Sequence, residues 1–380
     1  MGKKKMNHRC DIKCNNKYDN ENRYDNKCRR LKSGHIWSSM FRKKIGIVCA
    51  MTVLMIVFAG CGAGREEAAT EEEKMQILCM TFPLYDWTRQ ITAGCEDNIE
   101  VSLLMDRGTD PHNYQPTTED IIRISEADIM VYVGGESDLW MEDVLASIPA
   151  ERGEKQQYLS MMEVLGTSLR EEEYIEGVEQ IQGQAHGEVE AGEERHADAA
   201  EYDEHIWLSV KNASVCVQAI AATVMDQDQE DSRIVAENAE SYLAKLQDLD
   251  EQFADMAAEA PLDRVLFADR FPFLYLMKDY GLEYDAAFPG CSTETEASFE
   301  MVIYLAGRLD EYDLPAVLVM EDGNQRIAET VIANTADKDQ EILALNSMQS
   351  VTAAEIGQGV TYLSVMRENL EVLRKALACE

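Results

Sequence analysis

The stretch Asp231–Ala260, DSRIVAENAESYLAKLQDLDEQFADMAAEA, decides how the chain is organised. Its apolar positions Ala239, Leu243, Leu246, Leu249, Phe253 and Met256 recur at alternating three- and four-residue steps, which places them on one face of a helix. Pro261 stops the helix. About 30 helical residues span roughly 45 Å, enough to run the length of one lobe and into the next.

On either side of this helix, apolar runs alternate with segments of helical spacing. Met75–Phe82, Ile99–Met105 and Ile129–Val133 read as buried strands, separated by the helical patterns Trp87–Ala93 and Asp120–Ala127. A helix opens near Ser209 with Ala213, Val217, Ile220, Ala221 and Val224 on one face. Beyond Pro261 the alternation resumes with strands at Val265–Ala268, Leu282–Phe288, Ala316–Met320 and Glu341–Leu345, and Gly359–Leu377 closes the chain as a helix. Strand and helix in alternation predict parallel sheets covered on both faces. The expected fold is α/β, with two lobes, each a parallel sheet flanked by helices, joined by one long helix. The boundaries are 75–230 for the N-terminal lobe, 231–260 for the linking helix and 261–380 for the C-terminal lobe.

Charge separates the head of the chain from its body. Residues 1–44 hold 14 Lys and Arg against 4 Asp and Glu, whereas the remaining 336 residues hold 21 basic against 67 acidic side chains. So acidic a body repels phosphate backbones, which excludes a nucleic-acid partner, and it attracts cations. Between the two parts lie Arg42-Lys43-Lys44, an uncharged apolar run from Ile45 to Ala59, and Gly60-Cys61. This is the pattern of a signal peptide, too short for a comfortable membrane span. Phe58-Ala59-Gly60-Cys61 is similar to the bacterial lipobox, which implies that Cys61 is acylated and that an N-terminal lipid holds the protein to the membrane; the other reading is an uncleaved anchor. Both put the body outside the cytoplasmic membrane. Residues 1–60 are thus an N-terminal extension plus signal peptide, and 61–74 a tether.

Five cysteines remain in the body: Cys79, Cys95, Cys216, Cys291 and Cys379. Their wide spacing, odd number and lack of CxxC pairs support neither a zinc ribbon nor a disulfide framework. From 171 to 204 the sequence collapses into Glu, Gly, Ala and Gln around His186 and His196, a mobile acidic loop suited either to weak metal collection or to an inert linker.

The body has four histidines, and two lie in structured contexts. His112 follows the strand ending at Met105, just ahead of a capping box that Thr117 and Asp120 can form. This puts it in the crevice at the carboxyl end of a parallel sheet, where open α/β folds bind ligands. His205 sits just before Ser209, which caps the next helix. Both have acidic neighbours, and neutral imidazole is a favoured ligand for zinc. Trp87, Trp140 and Trp207 read as core.

Gly108-Thr109-Asp110-Pro111-His112-Asn113-Tyr114-Gln115-Pro116 resembles the G-x-D-P-H-x-Y-x-P segment of the zinc- and manganese-binding proteins of bacterial ABC importers. Tyr202-Asp203-Glu204-His205-Ile206-Trp207-Leu208-Ser209 is similar to their D-P-H-x-W-L-S segment, with Glu204 in place of Pro. The resemblance runs from about Met75 to Leu377. It implies a metal held between two lobes by His112, His205 and two ligands from the second lobe. There the sequence departs from the family: Leu266–Phe273 resembles the H-D-A-F or E-G-A-F segment, but Ala268 stands at the third ligand's place and Asp269 is the substitute one residue on. The fourth ligand, usually an aspartate, falls at Asn346, whose amide oxygen is a weak zinc ligand, so that water or Glu321 is a further option. Cys291 stands open between two readings, ligand and buried thiol.

The expected function is capture of a divalent transition metal, zinc first and manganese next, and its delivery to the permease of an ABC importer by a monomeric, extracytoplasmic lipoprotein. Two other readings are an extracytoplasmic metalloenzyme using His112 and His205, and a two-lobed receptor for an organic ligand. The body contains no HExxH, GxSxG, GxxxxGK[ST] or GxGxxG segment.

Overall fold

A computed structural model describes residues 74–149, 155–173, 202–292, 296–321 and 323–379, all within one compact unit, Glu71–Glu380. The expectations for the N-terminal extension, the signal peptide, Cys61, tether residues 61–73 and loop residues 174–201 with His186 and His196 lie outside the described residues.

The first half is a four-stranded, all-parallel sheet of β1 (Met75–Cys79), β2 (Ile99–Leu103), β3 (Ile129–Tyr132) and β4 (Gln157–Ser160), in the order β2-β1-β3-β4. Its helices are α1 (Phe82–Ile91), α2 (Thr118–Glu126), α3 (Trp140–Ser147), α4 (Met161–Leu165) and α5 (Val210–Gln227). The linking helix α6 runs from Ser232 to Glu259. The second half repeats the pattern, with β5 (Arg264–Phe271), β6 (Glu283–Pro289), β7 (Ala316–Met320) and β8 (Glu341–Leu345) in the order β6-β5-β7-β8, all parallel. It carries α7 (Leu274–Tyr280), α8 (Phe299–Tyr312), α9 (Arg326–Ala333), α10 (Ala353–Gly357) and α11 (Tyr362–Ala376).

Local chemistry sets the boundaries. The strand expected over Met75–Phe82 stops at Cys79, because Pro83 in the first turn, pre-set to a helical φ, opens α1 at Phe82. Thr117 and Asp120 close a capping box at the head of α2, each side chain bonding the other's backbone N–H. The short, partly exposed strand β4 was not expected. Its Gln157 lies on the solvent side of a sheet edge and breaks the apolar run that marks its neighbours.

In α6, Val235, Ala239, Tyr242, Leu246, Leu249, Phe253 and Met256 are buried, again at steps of four and three, while Leu243 of the expected stripe is only half-buried. The stripe packs on α1 and α5 of the first lobe and on α7 and α11 of the second. Each fully buried Leu, Phe or Met stabilises the fold by about 1.5–3 kcal/mol over an exposed one, so this face fastens both lobes to one rod. Among the described residues no helix is long and apolar enough to cross a membrane.

In each sheet the chain steps from its first strand to one side and then to the other, so the switch points lie between β1 and β3 and between β5 and β7. The loops after β2, β3, β6 and β8 therefore leave the carboxyl ends of the two sheets, the position where open α/β sheets receive ligands.

Candidate metal centre

His112 lies in a single 3-10 turn, Pro111–Asn113, just beyond β2. Asp110 caps that turn by accepting the His112 backbone N–H on Oδ1 at 3.0 Å. Its other oxygen accepts Arg270 Nη1 from the second lobe at 2.8 Å. One carboxylate thus orients His112 and ties the lobes together. Burial opposes ionisation of Asp110, but the hydrogen bond and charge of Arg270 outweigh it and hold the carboxyl below its usual range.

His205 caps a second 3-10 turn, Ile206–Leu208, which leads into α5 through Ser209, whose hydroxyl accepts the Asn212 N–H. Asp203 accepts the His205 backbone N–H at 2.8 Å and faces its Nδ1 at 3.1 Å. With Nδ1–H turned to a carboxylate, Nε2 keeps its lone pair. That nitrogen lies 3.1 Å from His112 Nε2, and the His112 Nδ1 is held by Ser137 Oγ at 2.8 Å. Two imidazoles on one tetrahedral zinc, at Zn–N of about 2.0–2.1 Å, stand about 3.3 Å apart, so the pair is already close to chelating distance.

Ser137 belongs to the loop after β3, and Glu204 accepts its backbone N–H at 2.8 Å. Glu204, where the family segment has Pro, therefore supports His112 through Ser137. The approach is possible because Gly135 has no side chain: a Cβ there, at φ +91, would stand 2.5 Å from Glu204 Oε1. Burial pushes the Glu204 carboxyl up. Burial first, then the charges of His205 and Arg270, push His112 down to about 4, so its ring is neutral at physiological pH and open to a cation.

In the second lobe, the residues expected as ligands are engaged in hydrogen bonds of their own lobe. A register shift in β5 between Phe267 and Arg270 marks a bulge at Ala268 and Asp269. Ala268 is fully buried in the core. Asp269 turns to β7, accepting the Arg270 N–H on Oδ1 at 2.8 Å and the Met320 N–H on Oδ2 at 3.1 Å, and the turn at Gly323 closes over it. Its carboxylate is engaged in joining strand ends, and it is not among the residues grouped with the histidines. Asn346 is likewise a turn residue: Oδ1 accepts the Met348 N–H at 2.8 Å, and its backbone is held on both sides by Asn369. Glu321 accepts the N–H and hydroxyl of Ser347.

Two other second-lobe residues reach the histidines. Among the described residues, His112, His205 and Cys291 form a group whose ligand atoms all lie within 4.8 Å of one another. Cys291 leaves the end of β6, and the preceding Gly290 packs so closely that a Cβ would stand 3.1 Å from His205 Cε1. The Cys291 thiol is raised far above its ordinary value by burial and by Glu172 and Asp203 nearby. Gln349 Nε2 lies 2.9 Å from His205 Nε2, carried there by a turn in which Met348 takes a left-handed φ of 60°. The sequence offered Cys291 as an open reading and no sign of Gln349 beyond its place after a sheet strand.

A cavity of about 230 Å³ opens on the site, lined by His112, Ser137, Cys291 and the glutamates Glu136, Glu172 and Glu204. Trp207, expected as core, also bridges the lobes: its Nε1–H donates to Ser347 O at 2.8 Å, and Tyr362 OH donates to Trp207 O at 2.8 Å. Trp87 is fully buried, whereas Trp140 is half-buried against Tyr114.

A family model described as "Zinc-uptake complex component A periplasmic" matches residues 77–376. The high-affinity zinc uptake system protein ZnuA of Bacillus subtilis (strain 168) is 27% identical over 339 residues, covering 89% of this chain and 99% of that protein. The zinc-binding lipoprotein AdcA of Streptococcus pneumoniae (strain ATCC BAA-255 / R6) is 27% identical over 333 residues, covering 88% of this chain but 61% of that protein's length. Among solved structures, the metal-dependent lipoprotein YcdH from Bacillus subtilis superposes with a TM-score of 0.63 at 24% identity, covering 80% of this chain and 99% of that one. The periplasmic zinc-binding protein TroA from Treponema pallidum gives 0.62 at 20% identity, covering 80% and 99%. At such identities the structures speak for the fold, two parallel sheets flanked by helices. With the family match extending from β1 to the end of α11, this chain belongs to the periplasmic component A family of zinc-uptake complexes.

Proposed function

We propose that this chain captures one zinc ion between its lobes through His112 Nε2 and His205 Nε2 and hands it to a membrane ABC importer, as a monomer held by a lipid on Cys61 to the outer face of the cytoplasmic membrane. The family is one of extracytoplasmic transport components. The observation that carries the reading is the pair of Nε2 atoms 3.1 Å apart, each ring fixed from behind by Ser137 or Asp203. Holding both rings in place removes the ordering cost that a flexible pair would meet on binding. The glutamates at the mouth raise the local concentration of cations on the way in. Imidazole nitrogen suits zinc, whereas manganese favours carboxylate and water oxygen, so the pair favours zinc.

Calorimetric titration of the purified protein with zinc tests this directly. One ion is expected to bind, with His112→Ala and His205→Ala each weakening it by orders of magnitude while thermal unfolding of the metal-free protein stays cooperative. Unchanged affinity in both variants removes the assignment.

A further inference from the structure

We propose that Cys291 Sγ and the side-chain oxygen of Gln349 are the second-lobe ligands, so that zinc sits in a two-histidine, one-thiolate, one-amide shell in place of the family's second-lobe pattern. The inference rests on the capture reading above and deepens it, because it names the donors that set which ion is held.

Elimination and placement lead to the same pair. Ala268 has no donor atom, the Asp269 oxygens serve Arg270 and Met320 backbone N–H groups, and Asn346 and Glu321 hold the Ser347–Met348 turn. Cys291, by contrast, is already grouped with both histidines, and Gly290 fixes its approach by packing against the His205 ring. In a tetrahedral site with Zn–S of about 2.3 Å and Zn–N of about 2.0 Å, sulfur and nitrogen stand about 3.5 Å apart. The ligand atoms all lie within 4.8 Å of one another, so the closing movement needed is at most about 1.3 Å, a small shift for a loop that ends a strand.

Gln349 is aimed at the same point. Its amide meets His205 Nε2 at 2.9 Å, on the nitrogen that the Asp203 contact leaves with a free lone pair. Turning the amide over brings Oε1 to the ion and leaves Nε2–H for Ser347 Oγ, which lies 3.2 Å from the amide's other end. The left-handed Met348 that delivers Gln349 is a backbone conformation uncommon for a side chain of its size, kept in place by the Asn346 hydrogen bond.

On binding, the Cys291 S–H bond breaks, its electron pair forms the sulfur–zinc bond, and the proton leaves to water; no electron is transferred. Thiolate is a soft donor, which favours zinc or cobalt(II) over the harder manganese.

Cobalt(II) reads this out, because thiolate ligation gives a sulfur-to-cobalt charge-transfer band in the near ultraviolet that nitrogen and oxygen ligands do not give. The full chain loaded with one cobalt is expected to show the band. Cys291→Ser is expected to lose it while still binding one metal ion, with zinc weakened by more than about tenfold, the lower end of the effect of removing even an outer-shell partner, and with the zinc-to-manganese affinity ratio reduced. Zinc is also expected to shield Cys291 of the unmutated protein from iodoacetamide, read by peptide mass, which keeps the test open should the variant fold poorly. Cobalt bound with no charge-transfer band, a band that survives in Cys291→Ser, or alkylation of Cys291 unaffected by zinc overturns the ligand assignment and leaves the capture reading standing. No metal bound by the unmutated protein ends both.

Discussion

Replacing Asp203 by Asn changes one charge and almost nothing else. The backbone of Asp203 is fixed independently, its N–H donating to Arg170 O at 3.0 Å and its carbonyl accepting Tyr275 OH at 2.9 Å. Asn keeps an oxygen where Oδ1 now accepts the His205 N–H and faces Nδ1. What is lost is the charge on the acceptor. A hydrogen bond to a charged group contributes about 1.5–3 kcal/mol against about 0.5–1.5 kcal/mol for a neutral one. Only the Nδ1 bond strengthens when the ring donates its other nitrogen to a cation, so the loss on zinc binding is about 1–1.5 kcal/mol, or roughly five- to twelvefold in Kd. Asp203→Leu removes the acceptor altogether, leaving a buried N–H and a freely turning ring. It is expected to weaken zinc by about a hundredfold and to destabilise the metal-free protein by about 1–3 kcal/mol. Competition against a chromogenic chelator at fixed pH, with urea unfolding of the metal-free forms, measures both. Zinc affinity of Asp203→Asn within twofold of the unmutated protein would refute the idea that this carboxylate tunes His205.

The Arg270–Asp110 pair, both partners about a fifth exposed, crosses from lobe to lobe at 2.8 Å. Arg270→Met is therefore expected to cost on the order of 1 kcal/mol, seen as roughly fivefold faster zinc release in stopped-flow chelator chase with capture hardly changed; an unaltered release rate would show that the pair does not hold the lobes closed. Burial raises the Asp138 carboxyl to about 7, with Glu204 adding to the shift and the Gly134 N–H opposing it. The folded state thus keeps a proton that the unfolded chain gives up near its ordinary value of 3.8. That contribution is fully present below pH 3.8 and is lost as pH rises through about 7. Urea midpoints of the unmutated protein are expected to fall over this window relative to Asp138→Asn, and parallel profiles for the two would count against it.

The fold was legible because its signals are local and repeated. Apolar runs such as Ala316–Met320 and Glu341–Leu345 bound strands to the residue, and the α6 stripe announced itself by spacing alone. Strand β4 was missed because an edge strand needs only one apolar face and Gln157 breaks its pattern. The two histidines could be found for the same reason: each lies within a few residues of its own cap, Asp110 or Asp203, in a contiguous segment. Ser137 left a fainter trace in the Gly134-Gly135 pair at the end of β3, where positive φ at both positions marks a tight turn. The second lobe offered nothing comparable. Whether Ala268, Asp269, Cys291 or Gln349 faces the histidines depends on a bulge in β5, on the lack of a Cβ at Gly290 and on one left-handed residue, none of which follows from the spacing of side chains.

This division follows from what each lobe has to do. The first lobe fixes its two imidazoles through Ser137, Glu204, Asp110 and Asp203, so the proposed binding there calls for little rearrangement. In the shell proposed above, the second lobe supplies its donors from loops beyond β6 and β8; the lobe meets the first at a few points around the site: Arg270 on Asp110, Tyr275 on the Asp203 carbonyl, Ser347 on Trp207. A shell shared in this way loses two ligands at once when the lobes part, and the two imidazoles left behind hold an ion far more weakly than four donors do. Capture and release then differ by the geometry of a few cross-lobe contacts rather than by the chemistry of any one ligand. A receptor that must give up a tightly held ion to an importer needs that property, and a chain that placed all four ligands in one lobe would lack it.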